Sequence, residues 1–376
     1  MAAMESENSD RSSVYRILDA AINRAGEGMR VVEDYVRMVL EDEHLSRQLK
    51  QLRHDLTQST ISIEPQSRIA ARDTIGDVGC QIETEAEYQR STSGSGDKSA
   101  GSSGSAEPAS GLVQANLARA QQALRTIEEF SKTIDPEIAK AVEQLRYRTY
   151  TIEKAVLTTV VSLQNFNRES LYVLIDGCSI GSQGDSDLIA LTRQLIDAQV
   201  DLIQLRDKTL TDKQLVVAGR VIAGLVRGTS TRFIMNDRAD LAVAAGANGV
   251  HLGQDDIDVA DARRIVGAAR SIGVSTHSIS QARQAVLAGA NYIGVGPVFE
   301  SATKEFTEHV GLDLVNEVVK EIQLPAFAIG GINLENVELI TKAGLNRIAV
   351  SAAVAKATDP QAAAGQLKQK LSVSEA

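Results

Sequence analysis

The sequence predicts an α/β protein: a closed (β/α)8 barrel in the C-terminal part, preceded by an all-α N-terminal domain built on an internal helical-hairpin repeat. Three observations predict it. After residue 170, short apolar segments alternate with helical stretches eight times, the pattern of a parallel barrel whose strands are buried on both faces. Apolar residues in the first 166 positions fall instead at helical spacing. Within that first part, residues 20–37, AAINRAGEGMRVVEDYVR, are echoed by residues 115–132, ANLARAQQALRTIEEFSK. At 376 residues the chain exceeds one ordinary domain. Two are expected, residues 1–166 and 167–376.

In the first domain, Ile17, Leu18, Ala21, Ile22, Met29, Val32, Tyr35, Val36 and Val39, then Leu45, Leu49 and Leu52, describe amphipathic helices. The echo aligns Arg24, Arg30 and Glu33 with Arg119, Arg125 and Glu128, and each copy is followed by a helix carrying QLR, at Gln51–Arg53 and Gln144–Arg146. Such a duplication predicts two hairpins about a pseudo-twofold axis. The arginines could line a basic pocket for an anion, or be surface charges paired along their own helices. Residues 89–111, rich in Ser and Gly, read as a flexible insertion that the repeat spans. ARDTIGDVG at 71–79 reads as a glycine-punctuated loop, and no Walker-type phosphate loop occurs there.

Composition narrows the function. A net charge of −10 argues against nonspecific binding to nucleic acid or an anionic membrane. Cys80 and Cys178 alone make neither a disulfide framework nor a zinc cluster. The start, MAAMESENSDRSS, has no apolar leader-like segment, and no apolar run approaches a membrane span, so a soluble cytoplasmic protein is expected. A homo-oligomer is compatible with the sequence.

The barrel strands are expected at 171–175, 201–205, 232–235, 248–252, 271–274, 291–295, 325–329 and 346–350. In a barrel, residues just past each strand face the active site. Strand two delivers Gln204, Arg206 and Lys208 in alternation, so they share one side. Strand three ends at Asn236 and Asp237, strand four at Gln254 and Asp256, and strand five at Ser275, Thr276 and His277. Parallel neighbours bring Asp237 and Asp256 together, a pair suited to Mg²⁺ sharing a substrate phosphate. The rival reading makes each a helix cap. Strand six is followed by GPVFESATK, presenting Ser301, Thr303 and Lys304. Gly330 and Gly331 after strand seven, and Val350 and Ser351 after strand eight, are each expected to open a helix whose N–H groups hold a phosphate. Two phosphate sites follow: a monophosphate at Gly331 and Ser351, and a diphosphate among Arg206, Lys208, Lys304 and the metal. Positive groups aimed at a departing diphosphate would stabilise its charge.

QLRDK, NDRADLA, GVHLGQDD, GVSTHS, GPVFESATK, AIGGI and AVSAAV, in this order over residues 170 to about 370, resemble thiamine-phosphate synthases. The resemblance implies a transferase that joins 4-amino-2-methyl-5-(diphosphooxymethyl)pyrimidine to a thiazole phosphate, both small molecules, releasing diphosphate. It implies that Gln204, Leu205, Arg206, Asp207, Lys208, Asn236, Ser275 and Lys304 bind the pyrimidine diphosphate, with Arg206, Lys208 and Lys304 catalytic. It implies Mg²⁺ on Asp237 and Asp256, and the thiazole phosphate on Ser301, Ala302, Thr303, Gly331, Val350 and Ser351. Ser301 stands where the family usually has Thr, which keeps the hydroxyl. The helical domain resembles an extension fused to some of these synthases and associated with phosphorylating hydroxymethylpyrimidine phosphate; a dimerising or partner-binding domain is the rival. For the barrel, a thiazole tautomerase or a noncatalytic sensor of thiamine precursors are the alternatives. Retention of Asp237, Asp256 and QLRDK weighs against the tautomerase.

Overall fold

The computed structural model describes residues 2–73, 107–177, 184–300 and 311–372, with the backbone alone for 2–10, 107–110 and 184–186. Lys304, Ser301, Ala302 and Thr303 lie outside the described residues, as do Cys80, Cys178, positions 74–79 of the glycine-punctuated loop and positions 89–106 of the Ser/Gly-rich segment. The chain divides into two compact units, Met1–Val39 with Ser46–Glu153, and Leu40–Leu45 with Lys154–Ala376.

The first unit is helical. Among the described residues its helices are α1 (Ala2–Tyr35), α2 (Glu43–Ser59), α3 (Pro65–Ala70), α4 (Glu107–Ser131) and α5 (Pro136–Asn165), and α5 runs on into the second unit. A five-residue π-helical turn, Val36–Leu40, follows α1. Helix α4 begins inside the segment read as a flexible insertion. Pro108 in its first turn is the physical reason: its fixed φ suits a helix start, where no N–H partner is needed. Leu18, Ala25, Met29 and Val32 of α1 and Val113, Leu117, Ala120 and Leu124 of α4 are buried, and the spacing follows the helical period. The two helices approach closely at Gly28, where a Cβ would lie 2.8 Å from the Asn116 carbonyl oxygen.

The repeat reappears as a repeated ion pair. Glu33 and Glu128 are buried, and each accepts from the arginine of the following QLR, Arg53 and Arg146. Arg30 reaches Asp34 at 3.3 Å and Arg125 reaches Glu129 at 2.6 Å, each on its own helix. Arg30 and Arg125 thus pair along their own helices, and Arg125 also reaches the buried Glu128 at 2.5 Å. Arg24 and Arg119 are exposed.

The second unit contains a closed barrel of parallel strands in sequence order, with β1 pairing β8. They are β1 (Leu171–Ile175), β2 (Leu202–Leu205), β3 (Arg232–Asn236), β4 (Gly249–Leu252), β5 (Ser271–Thr276), β6 (Tyr292–Val295), β7 (Ala326–Ile329) and β8 (Ile348–Val350). The outer helices are α6 (Gly184–Asp197), α7 (Asp212–Val226), α8 (Ala239–Ala245), α9 (Val259–Val266), α10 (Ile279–Ala288), α11 (Gly311–Glu321), α12 (Val337–Lys342), α13 (Ala352–Ala355) and α14 (Pro360–Ser372). Each strand lies within two residues of its expected position. Phe166, Tyr172, Leu174, Leu202, Ile234, Tyr292, Phe327 and Ala349 fill the interior. Strand alternation selects them: Tyr172 and Leu174 point inward while Val173 between them packs outward. Gly273 makes room for Tyr292, since a Cβ there would lie 2.1 Å from the ring.

Candidate active site

The register sets which strand ends meet. Asn236 lies opposite His251, so the residues following β3 and β4 are neighbours. Asp237 donates its backbone N–H to the His251 carbonyl at 2.7 Å and adopts a left-handed conformation, φ +57. A non-glycine residue there costs about 1 kcal/mol or more, so the surrounding structure holds it in place. Asp237 caps no helix, because α8 starts after Arg238. Asp256 is fixed by the loop after β4, its Oδ2 accepting from the Gly253 N–H at 2.6 Å. It caps no helix either, since α9 begins after Asp258.

The two acids converge. Burial, then the charge of Asp256 and a hydrogen bond to it, pushes the Asp237 carboxyl up to about 6, while Lys208 and Arg206 pull the other way. Two carboxylates sharing a site cannot both ionise freely unless a cation balances them. They border a cleft of about 330 Å³ that is also lined by Arg238, Ala239, Asp240 and Asp255. Among the described residues, no group of three or more His, Cys, Asp or Glu could hold a metal. The all-oxygen pair therefore fits a hard cation that completes its shell with water and substrate oxygens.

Gln204 and Leu205 end β2; Leu205 is fully buried, so its side chain faces the fold. Arg206 donates its N–H to the Ile175 carbonyl at 2.9 Å, and its side chain is partly exposed. Asp207 organises its own loop: Oδ2 accepts from Gly177 N–H at 2.9 Å and Oδ1 from Thr209 N–H at 2.7 Å. Ser275 is held by His251 Nε2 at 3.0 Å. His277 Nδ1 meets the Gly296 carbonyl at 2.5 Å, an anchor of the loop.

At the other side of the mouth, Ile329 lies opposite Ala349, which brings the chain at Gly331 and Ser351 together. Gly331 has φ +62, and a Cβ there would lie 2.2 Å from the Glu300 carbonyl oxygen, so only glycine fits. One expectation is corrected here. Ser351 opens α13 directly, but Gly330 and Gly331 lie in a turn well before α12, which starts at Val337. Asn336 Nδ2 ties back to the Gly331 carbonyl at 2.9 Å, so the turn is closed by a side chain rather than continued as a helix.

Three further buried groups lie beside this site: Tyr172, His251 and Tyr292. In the sequence alone they read as the core of apolar strands. Their signal was parity, because each stands at an inward position of its strand, as Gln204 and Ser275 do. Burial pushes both tyrosines up and His251 down, the latter to about 4, so all three are neutral at pH 7.

Residues 171–354 match the family described as thiamine monophosphate synthase, and residues 16–155 match the ThiD2 family. The thiamine-phosphate synthase of Rhodopirellula baltica is 39% identical over 93% of this chain and 90% of its own. That of Synechocystis is 36% identical over 96% of this chain and 97% of its own. Among solved structures, thiamine phosphate pyrophosphorylase from Pyrococcus furiosus is 30% identical, covering 56% of this chain and 98% of its own with a TM-score of 0.50.

Proposed function

The chain belongs to the thiamine-phosphate synthase family, a family of transferases, and from that membership we propose how its barrel joins a pyrimidine diphosphate to a thiazole phosphate. The observation that carries the proposal is the carboxylate pair Asp237 and Asp256 closing neighbouring strands, with Arg206 and Lys208 acting on the same point. Asp237 and Asp256 would hold Mg²⁺, which when bound neutralises charge on diphosphate oxygens. Arg206, Lys208 and Lys304 supply fixed positive charge around the leaving group, strengthening as charge develops on it. Gln204, Asn236 and Ser275 orient the pyrimidine ring so that its methylene carbon faces the second substrate.

Gly331, Val350 and Ser351, with Ser301, Ala302 and Thr303, hold the thiazole phosphate. An electron-rich aminopyrimidine expels diphosphate to leave a methylene carbocation, and the thiazole nitrogen captures it. The protein's part is mainly positioning, which makes the encounter effectively intramolecular. For Leu205 and Asp207, burial and loop bonding leave backbone groups as the contact with substrate. The decisive experiment incubates the full chain with both substrates, with and without Mg²⁺, and measures thiamine phosphate. Product formed equally well after metal removal would overturn the role of the carboxylate pair.

The helical unit is proposed to phosphorylate hydroxymethylpyrimidine phosphate, making the diphosphate the barrel consumes. Its match to the ThiD2 family over residues 16–155 supports this reading. The full chain carrying Asp237→Asn should accumulate pyrimidine diphosphate from the monophosphate and ATP; no ATP-dependent product would remove the kinase role. No described helix is long and apolar enough to cross a membrane.

A further inference from the structure

Five inward-facing side chains of the barrel form one hydrogen-bonded line. Gln204 Nε2 donates to Tyr172 Oη at 2.5 Å; Tyr172 Oη meets Tyr292 Oη at 3.1 Å; Tyr292 Oη meets His251 Nδ1 at 3.2 Å; His251 Nε2 meets Ser275 Oγ at 3.0 Å. Gln204, Tyr172, Tyr292 and His251 are 2%, 2%, 0% and 8% exposed. At one end of the line, Gln204 Oε1 is buried with no partner. Leaving such an acceptor unmet costs about 1–3 kcal/mol, so it points to a ligand donor that the protein does not supply.

A line of hydroxyls has a direction, because each hydroxyl has a single proton to donate. Tyr172 accepts from Gln204, so its proton goes to Tyr292. Tyr292 then gives its own to His251 Nδ1. A neutral imidazole that accepts at Nδ1 carries its proton on Nε2 and donates to Ser275. Ser275 is left with its hydroxyl proton free to point at a ligand. The line therefore presents an acceptor at Gln204 and a donor at Ser275.

We propose that Tyr172, Tyr292 and His251 are positioning residues that set this direction, and thereby make the site select an aminopyrimidine over its oxo counterpart. The inference rests on the pyrimidine reading above. An aminopyrimidine offers an exocyclic N–H donor and a ring-nitrogen acceptor, matching Gln204 Oε1 and the Ser275 hydroxyl. The pyrimidin-4-one reverses both groups, with a carbonyl acceptor and a ring N–H donor. Three side chains that touch no substrate thus decide which ring is accepted, since reversing one member would reverse its neighbours.

The test has two arms on the full chain. In the first, ¹⁵N NMR at pH 7 reads the His251 tautomer, its signals identified as those absent from His251→Asn. The expected state is neutral with the proton on Nε2, shifting toward Nδ1–H in Tyr292→Phe. A wild-type Nδ1–H tautomer overturns the direction whether or not any variant folds well. In the second, the amino and oxo pyrimidine diphosphates are compared as substrates. Wild type should favour the amino form by at least about 10²-fold in kcat/KM, as expected where a site hydrogen-bonds its substrate. Tyr292→Phe should lower that ratio about tenfold or more, leaving the KM for thiazole phosphate unchanged. A ratio that does not move, or a matching rise in the thiazole phosphate KM, leaves these residues only structural and overturns the proposal. Absence of thiamine phosphate from wild type would instead sink the barrel's assigned reaction, while the tautomer would still judge the line.

Discussion

The helical unit buries carboxylates and the barrel half-buries a pair of them, and they treat them in opposite ways. Glu33 and Glu128 sit in the helical unit with an arginine apiece from the next helix, Arg53 and Arg146. Asp237 and Asp256 sit at the barrel mouth facing each other, and the repulsion helps push Asp237 up to about 6. A buried acid with a guanidinium partner is held in balance by its own protein. A half-buried acid set against another acid is left unbalanced by its own protein, which is what the proposed cation would correct. Ion-pair bookkeeping thus separates framework from site better than burial alone.

The largest expected effect lies on the unbalanced pair. Asp237→Asn or Asp256→Asn should slow the single-turnover chemical step by about 10²–10³-fold, with thiazole phosphate affinity nearly unchanged. Lys304→Ala should behave alike. Wild-type rates in any of these variants would break the contrast at its functional side.

On the balanced side, Arg146→Ala removes the more buried of two guanidinium partners of Glu128, whose side chain is 5% exposed, and leaves Arg125 at 2.5 Å. Losing one charge-assisted hydrogen bond while the carboxylate keeps its second partner costs about 1.5–3 kcal/mol, read as a lower urea midpoint. The same arginine packs 4.8 Å from the Tyr147 ring centre, which adds to the loss. Arg53→Ala should cost less, since Arg53 is more exposed than Arg146, 30% against 11%. An Arg146→Ala protein as stable as wild type would mean that the pairing does not matter.

A smaller effect tests the packing that holds the barrel's interior line. Gly273→Ala forces a Cβ against the Tyr292 ring and should destabilise the protein by about 2 kcal/mol through overpacking. Differential scanning calorimetry would read it as a lower Tm.

The smallest concerns pH. Burial depresses the folded-state pKa of His251 to about 4, below the unfolded value of about 6.5. Between those values the unfolded chain binds more protons, so stability rises with pH across that window and falls on acidification. Going from pH 7 to 6, this residue should account for a loss of about 0.7 kcal/mol. Urea titrations of wild type and His251→Asn should differ by that slope; identical slopes would show the imidazole already titrating normally.

Much was legible in the linear order of residues. Short runs apolar on both faces, separated by helical stretches, specify a buried parallel barrel, and the echo of residues 20–37 at 115–132 specifies paired helices. The polar residues just past each strand could be named because a barrel puts all those ends on one face. Helix starts were harder. Nothing local distinguishes Gly331, which turns the chain ahead of α12, from Ser351, which begins α13 at once.

By itself, the sequence determined the barrel, the helical repeat, the membership of the family and the candidates at each strand end, because these depend on periodicity and on short motifs. Only tertiary structure decided which candidates join. Residues 172, 204, 251, 275 and 292 come from five strands, and their hydrogen bonds exist only once closure and register bring donors within about 3 Å of acceptors. The same closure holds Asp237 in a left-handed conformation, which Asp adopts more readily than most residues but which its sequence neighbours do not by themselves require. Hydrogen bonding and charge are matters of distance, and distance between remote residues is a property of the fold.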